Sequence, residues 1–149
     1  MTENEFRVLH SRLIEEYQLI EMRLKGICSA VLADERRNWI DRLDDYETDP
    51  LGKLLREISE KQKKNNAVYI SPDDYKVLDM VRTSRNYWVH QCFSADKHVT
   101  FSRTGNVRRE EYADRIEKDL NEAVRWDERL TEIFRELAKE KRIMDSIGP

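Results

Sequence analysis

Phe6, Leu9, Leu13, Tyr17, Ile20, Leu24, Ile27 and Val31 follow one another only at steps of three and four residues. That spacing draws one apolar stripe down a helix over roughly residues 4 to 32. A helix with a single apolar side has to bury that side against other elements. The rest of the chain repeats the pattern. Leu51, Leu54, Leu55 and Ile58 carry the apolar face of a helix that opens at Asp49-Pro50, a capping residue followed by a proline. It leads into Lys61-Gln62-Lys63-Lys64-Asn65-Asn66, which reads as a solvated loop. Ser71-Pro72-Asp73-Asp74 repeats the start signal, with acids where the positive end of a helix dipole favours them. The helix it opens is predicted to run to about residue 94.

Residues 94–106 break this periodicity and hold the Gly105-Asn106 turn signal. Tyr112, Ile116, Leu120, Val124, Leu130, Phe134 and Leu137 then mark a final long helix, and Trp39, Ile40, Leu43 and Tyr46 suggest a short one after the first. With 4 Gly and 3 Pro in 149 residues, connections are few. The expectation is one all-α domain over 1–149, an antiparallel bundle of four long helices plus a short helix.

Composition narrows the class further. The formal net charge of −3 gives no global basic field of the kind that marks many nucleic-acid binders. A local one survives, since Lys97, Arg103, Arg108 and Arg109 meet only Asp96 between residues 96 and 109. No apolar run is long enough to span a bilayer, and Met1-Thr2-Glu3-Asn4-Glu5 lacks the basic-then-apolar order of a signal peptide. Cys28 and Cys92 stand apart on helical patterns and read as reduced core residues. A cytoplasmic protein with no membrane partner is expected. No H-E-x-x-H occurs, no Glu stands three residues before a His, and the glycines form no phosphate loop. No metal and no cofactor is therefore expected.

The chemistry concentrates in Arg85-Asn86-Tyr87-Trp88-Val89-His90. An arginine offers a fixed fork of donors to phosphate oxygens. A histidine can take and give a proton near neutrality, and an amide can hold a hydroxyl or a phosphate. At about 100° per residue from Arg82, Asn86 and His90 follow at about 40° and 80°, a ladder beside the apolar sector. Trp88, Val89 and Cys92 fall inside that sector, and Tyr87 falls on another side. Arg85, at about 300°, points into the apolar sector, where a guanidinium needs either a carboxylate or a polar pocket. Trp88 reads as core, His10 as a helix-surface histidine, and His98 as a loop residue.

Arg85 to His90 resembles the R-x4–6-H signature of the HEPN superfamily, in which a polar residue such as Asn86 follows the arginine. The Asp49–Leu55 helix start and the long last helix are also similar to HEPN proteins. The resemblance implies a metal-independent endoribonuclease, a toxin or host-defence effector, with a composite site across a homodimer. Arg85, Asn86 and His90 would be its catalytic residues, and Arg82, Arg103, Arg108 and Arg109 would bind RNA. An antitoxin or regulatory protein is a further implied partner. HEPN toxins modified by a partner antitoxin carry a tyrosine two residues after the histidine, where this chain has Cys92. The alternative is a non-catalytic HEPN-like module that binds a nucleotide, RNA or protein.

Overall fold

A computed structural model describes residues 1–31, 50–94 and 99–147. Its regular structure is helical throughout. Helix α1 spans Glu3–Val31 (29 residues), α2 Pro50–Asn65 (16) and α3 Pro72–Asn86 (15). Helix α3 passes without a break into a π-helical turn at Tyr87–Gln91, and α4 spans Glu110–Ile147 (38 residues). The described helices are thus two long and two of middle length. The short helix around Trp39–Tyr46, Asp49 and His98 lie outside the described residues.

The sequence stripes become the core. Phe6, Leu13, Ile20, Leu24 and Ile27 of α1 are fully buried, with Leu54, Leu55 and Ile58 of α2 and Ile116 and Leu130 of α4. Each such side chain contributes on the order of 1.5–3 kcal/mol by leaving water. Ser71 caps α3 as expected, its Oγ accepting from the Asp74 N–H at 3.1 Å. Helix α2 extends beyond the expected loop start at Lys61. It closes at Asn66, whose φ of 48° reverses the chain. Gln62 then accepts from the Tyr69 and Ile70 N–H groups at 2.9 and 2.7 Å, which ties the connection to the helix.

Helices α1 and α4 run parallel, unlike the first and last helices of the expected antiparallel bundle. Low-numbered residues of both, such as Glu5 and Ala113, line one groove. Arg23 Nε meets Asp127 Oδ1 at 3.1 Å, and Gly26 packs at 3.3 Å on the Phe134 ring. Helix α3 runs antiparallel to both, bringing Trp88 to His10 and Asp119 at one end, with Asp74 near Arg129 at the other. Beyond the π turn, residues 99–109 form a loop that turns at Gly105, φ 79°, where a left-handed backbone favours glycine. Glu3 N–H donates to Gly105 O at 2.7 Å and Val107 N–H to Met1 O at 2.9 Å, so the loop is stitched to the start of α1. Among the described residues, no helix is long and apolar enough to cross a membrane.

Candidate active site

The π turn shapes the motif. Helical hydrogen bonds normally link residues four apart, but here the Cys92 N–H donates to Tyr87 O at 2.9 Å, a span of five. Side chains five apart therefore share a face. Arg85 and His90, which an unbroken α-helix would separate by about 140°, come together. Arg85 Nη1 donates to Asn86 Oδ1 at 3.1 Å and lies 3.4 Å from His90 Nε2. An arginine can only donate, so Nε2 is the acceptor in that long contact. Arg85 and Asn86 are half-buried and His90 is exposed. The arginine thus escapes the apolar sector by joining a polar cluster at its edge.

The same turn revises two neighbours. Val89, expected on the buried face, is 38% exposed, whereas Tyr87 is buried. Tyr87 packs edge-on against Trp88 and lies beneath the Arg115 guanidinium, whose central carbon is 4.0 Å from the ring centroid. Arg115 also pairs with Asp119 at 3.7 Å, and Asp119 accepts from Trp88 Nε1 at 2.7 Å. Burial of Tyr87, with Tyr112 nearby, pushes its phenol up to about 12.

Arg82, Thr83, Asn86, Tyr87, Gln91 and Arg115 line a groove of about 480 Å³ beside the motif. Two of the expected residues, Arg82 and Asn86, therefore open onto one concave surface. Arg82 also pairs with Asp79 at 3.0 Å. Arg115 was not foreseen: its helix spacing places it beside the motif only once α3 and α4 are packed. Arg103, Arg108 and Arg109 are exposed on the loop and line no part of this groove. Arg109 pairs with Glu111 at 3.3 Å, with both side chains well exposed, an arrangement worth little in water.

His10 is a clamp on the motif turn rather than a free surface group. Its Nε2 lies 2.9 Å from Trp88 O and 3.5 Å from Cys92 Sγ. Cys92 Sγ also approaches Trp88 O at 3.2 Å. Within a π turn the Trp88 carbonyl loses its partner four residues on, so a side-chain donor from α1 holds it. Phe6 and Phe93 pack around the same histidine, with ring centroids 6.4 and 5.3 Å from it. Both cysteines are free and buried, and burial pushes the Cys92 thiol up to about 11. His10→Ala is expected to cost about 1–2 kcal/mol by leaving the Trp88 carbonyl only the weak Cys92 thiol donor. Amide exchange should rise first at Cys92, whose N–H closes the turn. Unchanged protection at that amide would show that His10 does not hold it.

A search of protein-family models, curated proteins and solved structures found no match to this chain.

Proposed function

We propose that this protein is a metal-independent endoribonuclease of HEPN type. The observation that carries the reading is the π turn that gathers Arg85, Asn86 and His90 into one cluster with 3.1 and 3.4 Å contacts. In the proposed reaction the ribose 2′-hydroxyl attacks the adjacent phosphorus. Its proton passes to a base, and the departing 5′-oxygen takes up a proton from an acid. The products are a 2′,3′-cyclic phosphate and a 5′-hydroxyl end. His90, exposed and able to exchange protons, serves as acid or base. Arg85 stabilises charge on the non-bridging oxygens, exchanging its internal contacts for phosphate. Asn86 orients the phosphate or the attacking hydroxyl. Arg82 and Arg115 grip the strand in the adjoining groove, and the exposed loop residues Arg103, Arg108 and Arg109 would add phosphate contacts beyond it.

One histidine does not readily serve both the attacking and leaving oxygens, so the reading includes a homodimer in which two motifs share a cleft. Val89, next to His90 in the chain, and Phe93, three residues on, are 38% and 48% exposed. Apolar side chains beside a polar cluster suit a protein interface. A role as toxin or host-defence effector, controlled by a regulatory protein, is compatible with such an activity.

The test is cleavage of single-stranded RNA by the purified protein in excess EDTA, with the termini of the products identified. Cyclic phosphate and 5′-hydroxyl ends are expected. Binding without cleavage would replace the enzyme with a non-catalytic RNA-binding module. Arg115→Ala is expected to weaken RNA binding and flatten the plot of log affinity against log salt by about one unit, as loss of one phosphate contact does. An unchanged slope would take Arg115 out of the RNA path.

A further inference from the structure

The face of the molecule turned away from the motif carries an apolar groove of about 650 Å³ between the first turns of α1 and α4. Phe6 and His10 meet the motif turn at Trp88. At about 100° per residue, Val8 lies about 200° around α1 from Phe6, so the groove opens on the opposite side. Likewise Arg115 and Asp119 of α4 face the motif, while Ala113, Asp114 and Glu117 line the groove. Leu9 and the buried Ala113 form its apolar floor, and Val8 stands in it 59% exposed. Glu5, Glu110, Asp114 and Glu117 form its rim.

Two of these acids have a local explanation. Glu5 accepts from the Thr2 N–H at 2.8 Å while Thr2 Oγ1 accepts from the Glu5 N–H, a capping box that opens α1. Glu110 sits in the first turn of α4, where the helix dipole favours an anion. Asp114 and Glu117 lie further along, are exposed, and form no ion pair among the described residues. Neither capping nor internal pairing accounts for them.

We propose that this groove docks a lysine- or arginine-bearing amphipathic helix of a partner protein. Its apolar side chains would cover Val8, Leu9 and Ala113, and its cations would meet Asp114 and Glu117. The occupant follows from charge complementarity: an acidic rim repels RNA and anionic lipid, and attracts a cationic polypeptide. The shape agrees, since a trough between two parallel helices accepts anchors at i, i+3, i+4 and i+7. The surface lies outside the proposed nuclease site and does not depend on it.

The probe is a fluorescent peptide of about 16 residues with leucines at i, i+3, i+4 and i+7 and lysines elsewhere. Its counterpart replaces each lysine with glutamate. The lysine peptide is expected to bind at physiological salt at least tenfold more tightly than the glutamate one. The double variant Asp114→Lys/Glu117→Lys should weaken that binding tenfold or more, and Val8→Asp should do the same. Glu128→Lys/Glu136→Lys makes the same change in net charge on exposed acids outside the groove and should leave binding within twofold. Equal losses in the two double variants would reduce the effect to net charge and overturn the proposal, as would failure of the lysine peptide to bind. A dimer in light scattering that Val8→Asp converts to monomer would assign the groove to a second copy and overturn it also.

Discussion

His90→Ala is expected to lower RNA cleavage in EDTA by about 10²–10⁴-fold, the usual contribution of a positioned acid or base. Its melting temperature should stay within about 2 °C of the parent, because an exposed side chain with one long contact adds little stability. Arg85→Ala should lose a comparable factor, about 10²–10³-fold, as expected when a preorganised donor to a developing charge is removed. Arg85→Lys should recover little, since an ammonium keeps the charge but cannot hold Asn86, His90 and a phosphate with one planar fork. Rate and melting temperature measured on the same preparations separate chemistry from folding. Full activity in folded His90→Ala would end the assignment. If both variants unfolded, the cluster would be structural instead.

Trp88→Ala is expected to have the largest effect on stability, about 3–5 kcal/mol. For a domain of this size that lowers the melting temperature by on the order of 10 °C. Trp88 is fully buried between α1 and α4, contacts Phe6 and Tyr87, and donates from Nε1 to Asp119 at 2.7 Å. Removing it opens a cavity and also leaves Asp119 without its shortest partner. Trp88→Phe separates the two effects. It refills much of the space but still takes the indole N–H from the carboxylate, leaving it only the longer Arg115 contact, so a loss of about 1–3 kcal/mol should remain. A Trp88→Phe variant as stable as the parent would show that the indole N–H contributes nothing. Calorimetric or denaturant unfolding measures both.

What depends on short stretches of sequence was legible. The α1 stripe predicted residues 4 to 32 and the helix covers Glu3–Val31, because a regular three-and-four spacing leaves little freedom. Ser71-Pro72 and Gly105 act locally and stand where their chemistry predicts a cap and a turn. Arg85, Asn86 and His90 were selected by residue type, and the structure brings the three together. How they meet is not legible, because a spacing of about 100° per residue fails where the segment widens to a π turn and Val89 and Tyr87 exchange environments.

Nothing in the local pattern announces that widening, because a carbonyl's partner on another helix has no periodic signal. His10 stands 78 residues before Trp88, and Arg115 lies well beyond Tyr87, so their roles exist only after packing. The parallel course of α1 and α4 is of the same kind. An apolar stripe says which side is buried but not in which direction its neighbour runs.

The π turn also changes how the motif tolerates insertions and deletions. A helix that closes on five residues where four suffice holds one residue more than its rise requires. Loss of a single residue between Asn86 and His90 would let the segment relax to α-helix with arginine and histidine four apart, still neighbours on one face. The residues after it would keep their facing, because the wide turn already absorbs the extra residue, but the Trp88 carbonyl would regain an α-helical partner and release His10. The reactive pair and its anchorage therefore answer to different features of the chain. Spacing along the helix keeps the first, and only the surplus residue keeps the second. Among related sequences, a shortened motif would be read as a site that kept its chemistry and exchanged its support.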